Sequence, residues 1–305
     1  MRLWLVVNGK GGDEDGLRAA VEGLRGQGHA VAVRVTWEEG DAARIVTEAA
    51  LDGAEVVVAC GGDGTLSEVA AALYATRSRA ALGILPRGSA NDFAVACGLA
   101  KRDAAAALAY VVEQAPLAVA MNGAPFLNVV TAGFGAEITA NTPAELKAQV
   151  GGLAYLLTGI GSIAGLEARE ATLRWPDGEW TGALGALAVG NGRQAGGGFV
   201  VCPGARLDDG LLDVSFLPAD DGALSWMSAL ARFVKNGEDE GVRLLAVPWL
   251  EVESPQGLHV SLDGEPHVEQ RLRFEAIPAA IRAIIPSRVL SASRPKTSGA
   301  PLAGG

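Results

Sequence analysis

The 305-residue chain has three cysteines, Cys60, Cys97 and Cys202, too few and too scattered for a disulfide framework or a zinc site. They suit a reducing cytosol. The three histidines, His29, His259 and His267, do not suggest a catalytic triad or a metal centre. No Gly-Lys pair is followed by Ser or Thr, so there is no Walker A loop. No Gly-x-Gly-x-x-Gly follows the first strand-like run, which disfavours a dinucleotide-binding Rossmann domain, and no Gly-x-Ser-x-Gly elbow occurs. The N-terminus, Met1-Arg2-Leu3-Trp4-Leu5-Val6-Val7-Asn8, lacks the three-part pattern of a signal peptide, so none is expected. The uncharged stretch 148–166 holds five glycines with Gln149, Thr158 and Ser162, and is too polar for a membrane span.

Positive charge is in deficit: 25 Lys and Arg against 35 Asp and Glu give a net charge of −10. A broad nucleic-acid surface is therefore excluded, and any anion must be held by local donors. Glycine is plentiful at 41 residues, many of them clustered as tight turns and close approaches to a ligand require. With 49% hydrophobic and 20% charged residues the chain can fill a sizeable core. Its length fits one large domain or two ordinary ones.

Strand and helix patterns alternate over the first 115 or so residues. Apolar runs at 3–8, 30–35, 55–60 and 81–85 read as strands. Between them, Leu17, Val21 and Leu24, and then Ile45, Val46 and Ala49, sit at helical spacing, and a further helix is expected from about 66 to 75. This is a doubly wound α/β pattern. Past Pro116 strand-like runs dominate, at 117–121, 126–131, 171–175, 183–189, 212–216, 250–252, 259–262 and 272–275. Turn signals such as Pro176-Asp177-Gly178 and Asp263-Gly264 separate them. The pattern predicts a mostly antiparallel β domain with helices near 144–165 and 223–235. The run 281–285 suits a last strand of either domain. The expected organisation is an α/β domain over 1–118 with about 281–290, a β-sandwich domain over 119–280, and a disordered tail over 291–305.

The strongest local signal is Cys60-Gly61-Gly62-Asp63-Gly64-Thr65-Leu66-Ser67-Glu68, between a buried-type strand and a helix. Its glycines let backbone N–H groups approach phosphate, and the helix start adds positive dipole. Asp63 can bind a nucleotide-associated Mg²⁺ or orient the phosphates. Taken alone, the motif also reads as a plain strand-to-helix turn capped by Thr65. A second loop, Pro86-Arg87-Gly88-Ser89-Ala90-Asn91-Asp92-Phe93, ends the next strand and opens another helix. Two such loops side by side make a ligand crevice, with Ser89 and Asn91 offering polar contacts. Thr36, at a third strand end, can reach the same crevice.

These loops resemble those of the diacylglycerol kinase catalytic-domain superfamily. More closely, the chain resembles the YegS-like bacterial lipid kinases. The likeness extends through Val33-Arg34-Val35-Thr36-Trp37-Glu38, Gly190-Asn191-Gly192-Arg193-Gln194-Ala195-Gly196-Gly197-Gly198, Asp209-Gly210-Leu211-Leu212-Asp213 and Leu262-Asp263-Gly264-Glu265-Pro266. It covers nearly the whole chain. The resemblance implies a fold like that of NAD kinases: an N-terminal α/β domain and a C-terminal β-sandwich flanking an ATP cleft, with the C-terminus returning to the first domain. It implies ATP contacts at Thr36, at Gly62, Asp63, Gly64, Thr65, Leu66, Ser67 and Glu68, and at Ser89. It places a catalytic base at Glu265, and a structural Mg²⁺ site, with Ca²⁺ as the alternative ion, on the Arg206 and Leu211 carbonyls and the Asp209 side chain. Two positions depart from the family pattern: Ser89 stands where Thr is usual, and Asn8-Gly9-Lys10-Gly11-Gly12 replaces Asn-Pro-x-Ser-Gly.

The expected protein is a cytoplasmic, ATP- and Mg²⁺-dependent kinase of a glycerolipid hydroxyl, of the diacylglycerol or phosphatidylglycerol type. It would make only peripheral membrane contact and have no nucleic-acid partner. A kinase of a soluble acceptor, NAD kinase-like, and a non-catalytic nucleotide-binding regulator are the rivals. Residues 151–160 lack charge and form the candidate for membrane docking, against a plainer reading as a buried helix.

Overall fold

The computed structural model describes residues 1–10, 14–99, 103–122, 126–133, 168–220, 223–262 and 265–287. The expected helix over 144–165, the docking segment 151–160 and the tail 291–305 lie outside them.

Four strands, β1 (Arg2–Asn8), β2 (Ala30–Thr36), β3 (Val56–Gly61) and β4 (Ala81–Pro86), run parallel in the order β4-β3-β1-β2. The apolar runs are near-continuous because both faces are covered. On one face, α1 (Glu14–Gly26) and α5 (Ala104–Glu113) seal a core with Leu3, Leu5, Val56 and Val58. The α1 contribution is Leu17, Val21 and Leu24, the helical stripe seen in the sequence. The Asp103 carboxylate caps α5 by accepting the Ala106 N–H at 2.8 Å. On the other face lie α2 (Asp41–Leu51), α3 (Asp63–Ala75) and the short α4 (Asp92–Ala96).

The chain then crosses into an antiparallel region: β5 (Leu117–Asn122), β6 (Val129–Gly133), β7 (Arg169–Trp175), β8 (Gly178–Gly190), β9 (Gln194–Ala195), β10 (Phe199–Val200), β11 (Leu212–Pro218), α6 (Ala223–Asn236), β12 (Arg243–Val247), β13 (Trp249–Leu262) and β14 (Glu265–Ala283). The long strands β8 and β13 each serve two layers. Their outer halves pair with β7 and their other halves with β6. Phe126, Leu173, Phe216, Val252 and Phe274 fill the space between.

β14 joins the domains. Its first half pairs with β13, and its last residues, Arg282 and Ala283, pair parallel with Ala81 and Leu82 of β4. The C-terminal return is therefore observed, with Ile281 and Ile285 in the first domain's core. Between the halves the register shifts, and Ala279 takes a left-handed φ of 51°.

Several strand expectations are corrected. The run 117–121, read as the β domain's opening strand, is β5. It pairs antiparallel with β14 at the edge of the first sheet, where Val119 and Met121 are fully buried. The runs 250–252 and 259–262 are one strand, β13, interrupted by the irregularity between Glu253 and Leu258. The half-buried edge strand β12 gave no alternation to read.

Candidate functional site

The carboxyl ends of β2, β1, β3 and β4 stand side by side, neighbouring strands about 4.8 Å apart. They deliver Thr36, Asn8 with Gly9, Gly61 with Gly62, and Arg87 with Gly88 to one edge. The two glycine loops touch: a Cβ on Gly88 would lie 2.5 Å from the Gly62 Cα. The Arg87 N–H donates to the Gly61 carbonyl at 2.8 Å, continuing the ladder into the loops. Gly62 is the N-cap of α3 in extended conformation. The Leu66 N–H donates to the Gly62 carbonyl at 3.0 Å, so the N–H groups of Asp63, Gly64 and Thr65 form the helix start with no intrahelical acceptor. Such a turn is built to hold an anion.

The Asp63 carboxylate ties the loops together. Its two oxygens accept the Asp92 N–H at 3.0 Å and the Phe93 N–H at 3.1 Å, capping α4. Asp63 is half-buried. Asn91, left-handed at φ 51°, accepts the Gly88 N–H on its Oδ1 at 2.9 Å and donates from Nδ2 to the Gly88 carbonyl at 2.5 Å. Asn8 Nδ2 donates to the Thr65 hydroxyl at 3.0 Å, locking β1 to α3. Beyond Thr36, the buried Asp41 carboxylate accepts the Trp37 and Glu38 N–H groups at 2.7 and 3.1 Å. Those bonds, with Arg44 beside it, hold its carboxyl down at about 2.

The second domain reaches this edge through Asp92, which is 5% exposed. Its carboxylate accepts the Gly197 N–H at 3.0 and 3.1 Å and the Gly198 N–H at 2.6 Å. Burial pushes the Asp92 carboxyl up; the glycine N–H groups draw it back and the Asp63 charge adds to the rise. The glycine turn is held from its own side by Asn128. The Asn128 carbonyl accepts the Asn191 and Gly192 N–H groups, both at 2.9 Å, and its Nδ2 donates to the Gln194 carbonyl at 2.9 Å. The sequence did not reveal this bridge. The signal was present as two separate motifs, Asn91-Asp92 and Gly196-Gly197-Gly198.

Leu262 faces Glu265 across the β13–β14 hairpin and also pairs with Val130 of β6. The Leu262–Glu265 pair therefore lies at the end of the sheet where Asn128 and Asn191 sit, the end from which the glycine turn leaves for Asp92. Glu265 is placed there by its backbone; its side chain lies outside the described residues.

Thr36, the 62–68 turn and Ser89 are brought together on one edge. Within the turn Leu66 is 5% exposed and packed in the core, and Thr65 and Ser67 are buried, so only main-chain atoms of Leu66 can serve a ligand. Glu68 and Ser89 are exposed. The turn 206–211 is docked on the first domain by Leu207, 3% exposed in its core, and by Gly210, whose α-carbon abuts Pro278. Asp209 Oδ1 accepts the Leu211 N–H at 3.0 Å, and Arg206 lies 3.3 Å from Asp208 and 3.8 Å from Asp209. One carboxylate and two carbonyls in a tight turn are hard oxygen donors of the kind Mg²⁺ or Ca²⁺ takes, with water completing the shell. Among the described residues no group of three His, Cys, Asp or Glu side chains forms a metal centre. The three cysteines are buried, and burial pushes the Cys60 and Cys97 thiols up to about 12, so neither is a nucleophile.

The diacylglycerol kinase catalytic domain model matches residues 2–122, and that of the YegS C-terminal NAD kinase β-sandwich-like domain matches 128–285. A Pseudomonas aeruginosa protein named "Probable lipid kinase YegS-like" is 49% identical over 94% of this chain and 95% of its own. A Xanthomonas campestris protein of the same name is 44% identical over 92% and 95%. A crystal structure of a diacylglycerol kinase from Bacillus anthracis str. Sterne superposes with a TM-score of 0.76 at 24% identity, over 94% of this chain and 98% of that one. A second structure from that organism gives 0.79 at 25% identity, over 94% and 96%. The chain belongs to the YegS-like family of lipid kinases. Among the described residues no helix is long and apolar enough to cross a membrane.

Proposed function

We propose that the protein transfers the γ-phosphoryl group of ATP to a hydroxyl of a glycerolipid of the diacylglycerol or phosphatidylglycerol type. The observation that carries this reading is the union of the two glycine loops through Asp63, with the second domain closed onto them through Asp92. The N–H groups of Asp63, Gly64 and Thr65 receive the phosphates, Thr36 and Ser89 the rest of the nucleotide, and Glu265 the acceptor. Phosphoryl transfer needs positioning and charge neutralisation above all. The acceptor oxygen bonds to the γ-phosphorus as the bond to the β–γ bridging oxygen breaks and ADP leaves. The acceptor's proton passes to the Glu265 carboxylate. A divalent cation, Mg²⁺ in this reading, would be held by the Arg206 and Leu211 carbonyls and Asp209, supplying fixed positive charge to the turn docked on Leu207. Likeness to lipid kinases over both domains favours a lipid acceptor over a soluble one.

The test is transfer of labelled phosphate from ATP by purified protein to diacylglycerol and phosphatidylglycerol in mixed micelles, beside NAD in solution. Labelled lipid and unlabelled NAD support the proposal. Labelled NAD alone would make it a kinase of a soluble acceptor. ATP binding with no transfer to any acceptor would make it a regulator.

A further inference from the structure

A second recess lies on the opposite face of the first sheet from α3. It runs between α1 and the β1–β2 edge and encloses about 370 Å³, within the size range of small-molecule sites. Its walls are mostly apolar, Val7, Leu17 and Val21 on the inner side and Val33 and the half-exposed Val35 on the outer, with Asn8 and Gly9 at the end nearest the strand tips. Arg87 closes its inner end.

Arg87 leaves β4 toward this face, where its charge acts on Cys60, buried beneath α1 and α5. Its Nη2 is buried and has no hydrogen-bond partner among the described residues. A buried guanidinium N–H without an acceptor is a costly arrangement that folded proteins seldom keep without a use. The rim carries Arg18 and Arg25 against the single acid Glu22, so the recess is locally positive in a chain of net charge −10. Arg25 is fixed there by its bond to the Val31 carbonyl at 2.8 Å.

We propose that this recess binds a single-chain anionic amphiphile, its phosphate or carboxylate accepting from Arg87 Nη2 and its alkyl chain lying along the valine and leucine walls. The buried unpaired donor calls for an anion, and the walls call for a hydrocarbon; an inorganic ion satisfies only the first. The recess borders the nucleotide edge, since Asn8 and Gly9 line it and Arg87 directly precedes Gly88, which abuts Gly62. It does not depend on the identity of the kinase acceptor.

The experiment is calorimetric titration of the full chain with dodecyl phosphate below its micelle concentration, with and without a non-hydrolysable ATP analogue. Inorganic phosphate and dodecyl maltoside serve as the two half-ligands. Dodecyl phosphate should bind in both conditions, and each half-ligand at least about tenfold more weakly. Arg87→Leu should cut its affinity by about tenfold or more, the scale of a charge-assisted hydrogen bond. The unliganded variant should melt no lower than the wild type, because it lacks the unpaired donor. Val35→Glu, at the exposed rim, should weaken binding by repulsion, and it decides the matter alone if Arg87→Leu does not fold. Equal affinity of the variants and the wild type would overturn the proposal. So would inorganic phosphate binding as tightly as dodecyl phosphate, or loss of binding in the presence of the ATP analogue, which would assign the anion to the glycine loops.

Discussion

Asp63 joins two jobs in one carboxylate. Its place in a glycine turn points to phosphate or metal chemistry, while its bonds to the Asp92 and Phe93 N–H groups hold the second loop against the first. The substitutions Asp63→Ala and Asp63→Asn separate these jobs. The alanine removes a helix cap, which costs about 0.5–2 kcal/mol, so both the melting temperature and turnover should fall. The asparagine keeps one acceptor oxygen and loses the charge. It should melt between the alanine variant and the wild type, since it keeps one of the two bonds, and still fail in turnover, measured as ADP release with lipid micelles. Wild-type turnover by a folded Asp63→Asn protein would leave the residue a purely structural tie. The sequence marked the position but not the bonds, because the partners of Asp63 lie 29 and 30 residues away on another strand's loop.

The strands of the first domain and its helices α1 and α2 were legible because the strands are apolar runs and these helices carry clean stripes, whereas the alanine-rich α5 was not read. The two glycine loops followed from them, since each closes such a run. Less could be read in the second domain. β13 carries an irregularity that splits its pattern, β12 is a half-buried edge, and β5 is paired by a strand that arrives more than 140 residues later. At this scale the critical contact is backbone on backbone, where the Gly88 α-carbon faces that of Gly62. A methyl at 2.5 Å from the Gly62 Cα has no side chain to push aside. Gly88→Ala should therefore pry the loops apart, at about 1–3 kcal/mol for an overpacked contact, and weaken ATP binding by calorimetry. Gly64→Ala meets nothing within 4 Å and serves as the control for steric effects, expected to fold as the wild type does.

Among the described residues the domains are held together by β14 running from one sheet into the other, by Leu207 in the first domain's core, and by the Asp92 carboxylate seated on the Gly197 and Gly198 N–H groups. Because Asp92 titrates above the usual carboxylate value in the folded protein, its protonated form is the one folding favours. Its contribution is complete below the unfolded value and is lost as pH rises through the raised folded value. Asp92→Asn removes that dependence. The melting temperature of the wild type relative to this variant should therefore decline as pH rises from about 4, and a flat difference would show that the glycine N–H groups fully offset the burial. Glu265, paired with Leu262, stands at the same end of the second sheet as Asn128, which holds the glycine turn, and the account turns on the chemistry proposed for it. Its most direct test is Glu265→Gln, with ATP affinity read by calorimetry and turnover read with glycerolipid micelles. The account predicts unchanged ATP affinity and turnover reduced by about 10²–10⁴-fold, the range for general acid–base catalysis. Lost ATP affinity with unchanged turnover would contradict it and make Glu265 a ligand of the nucleotide.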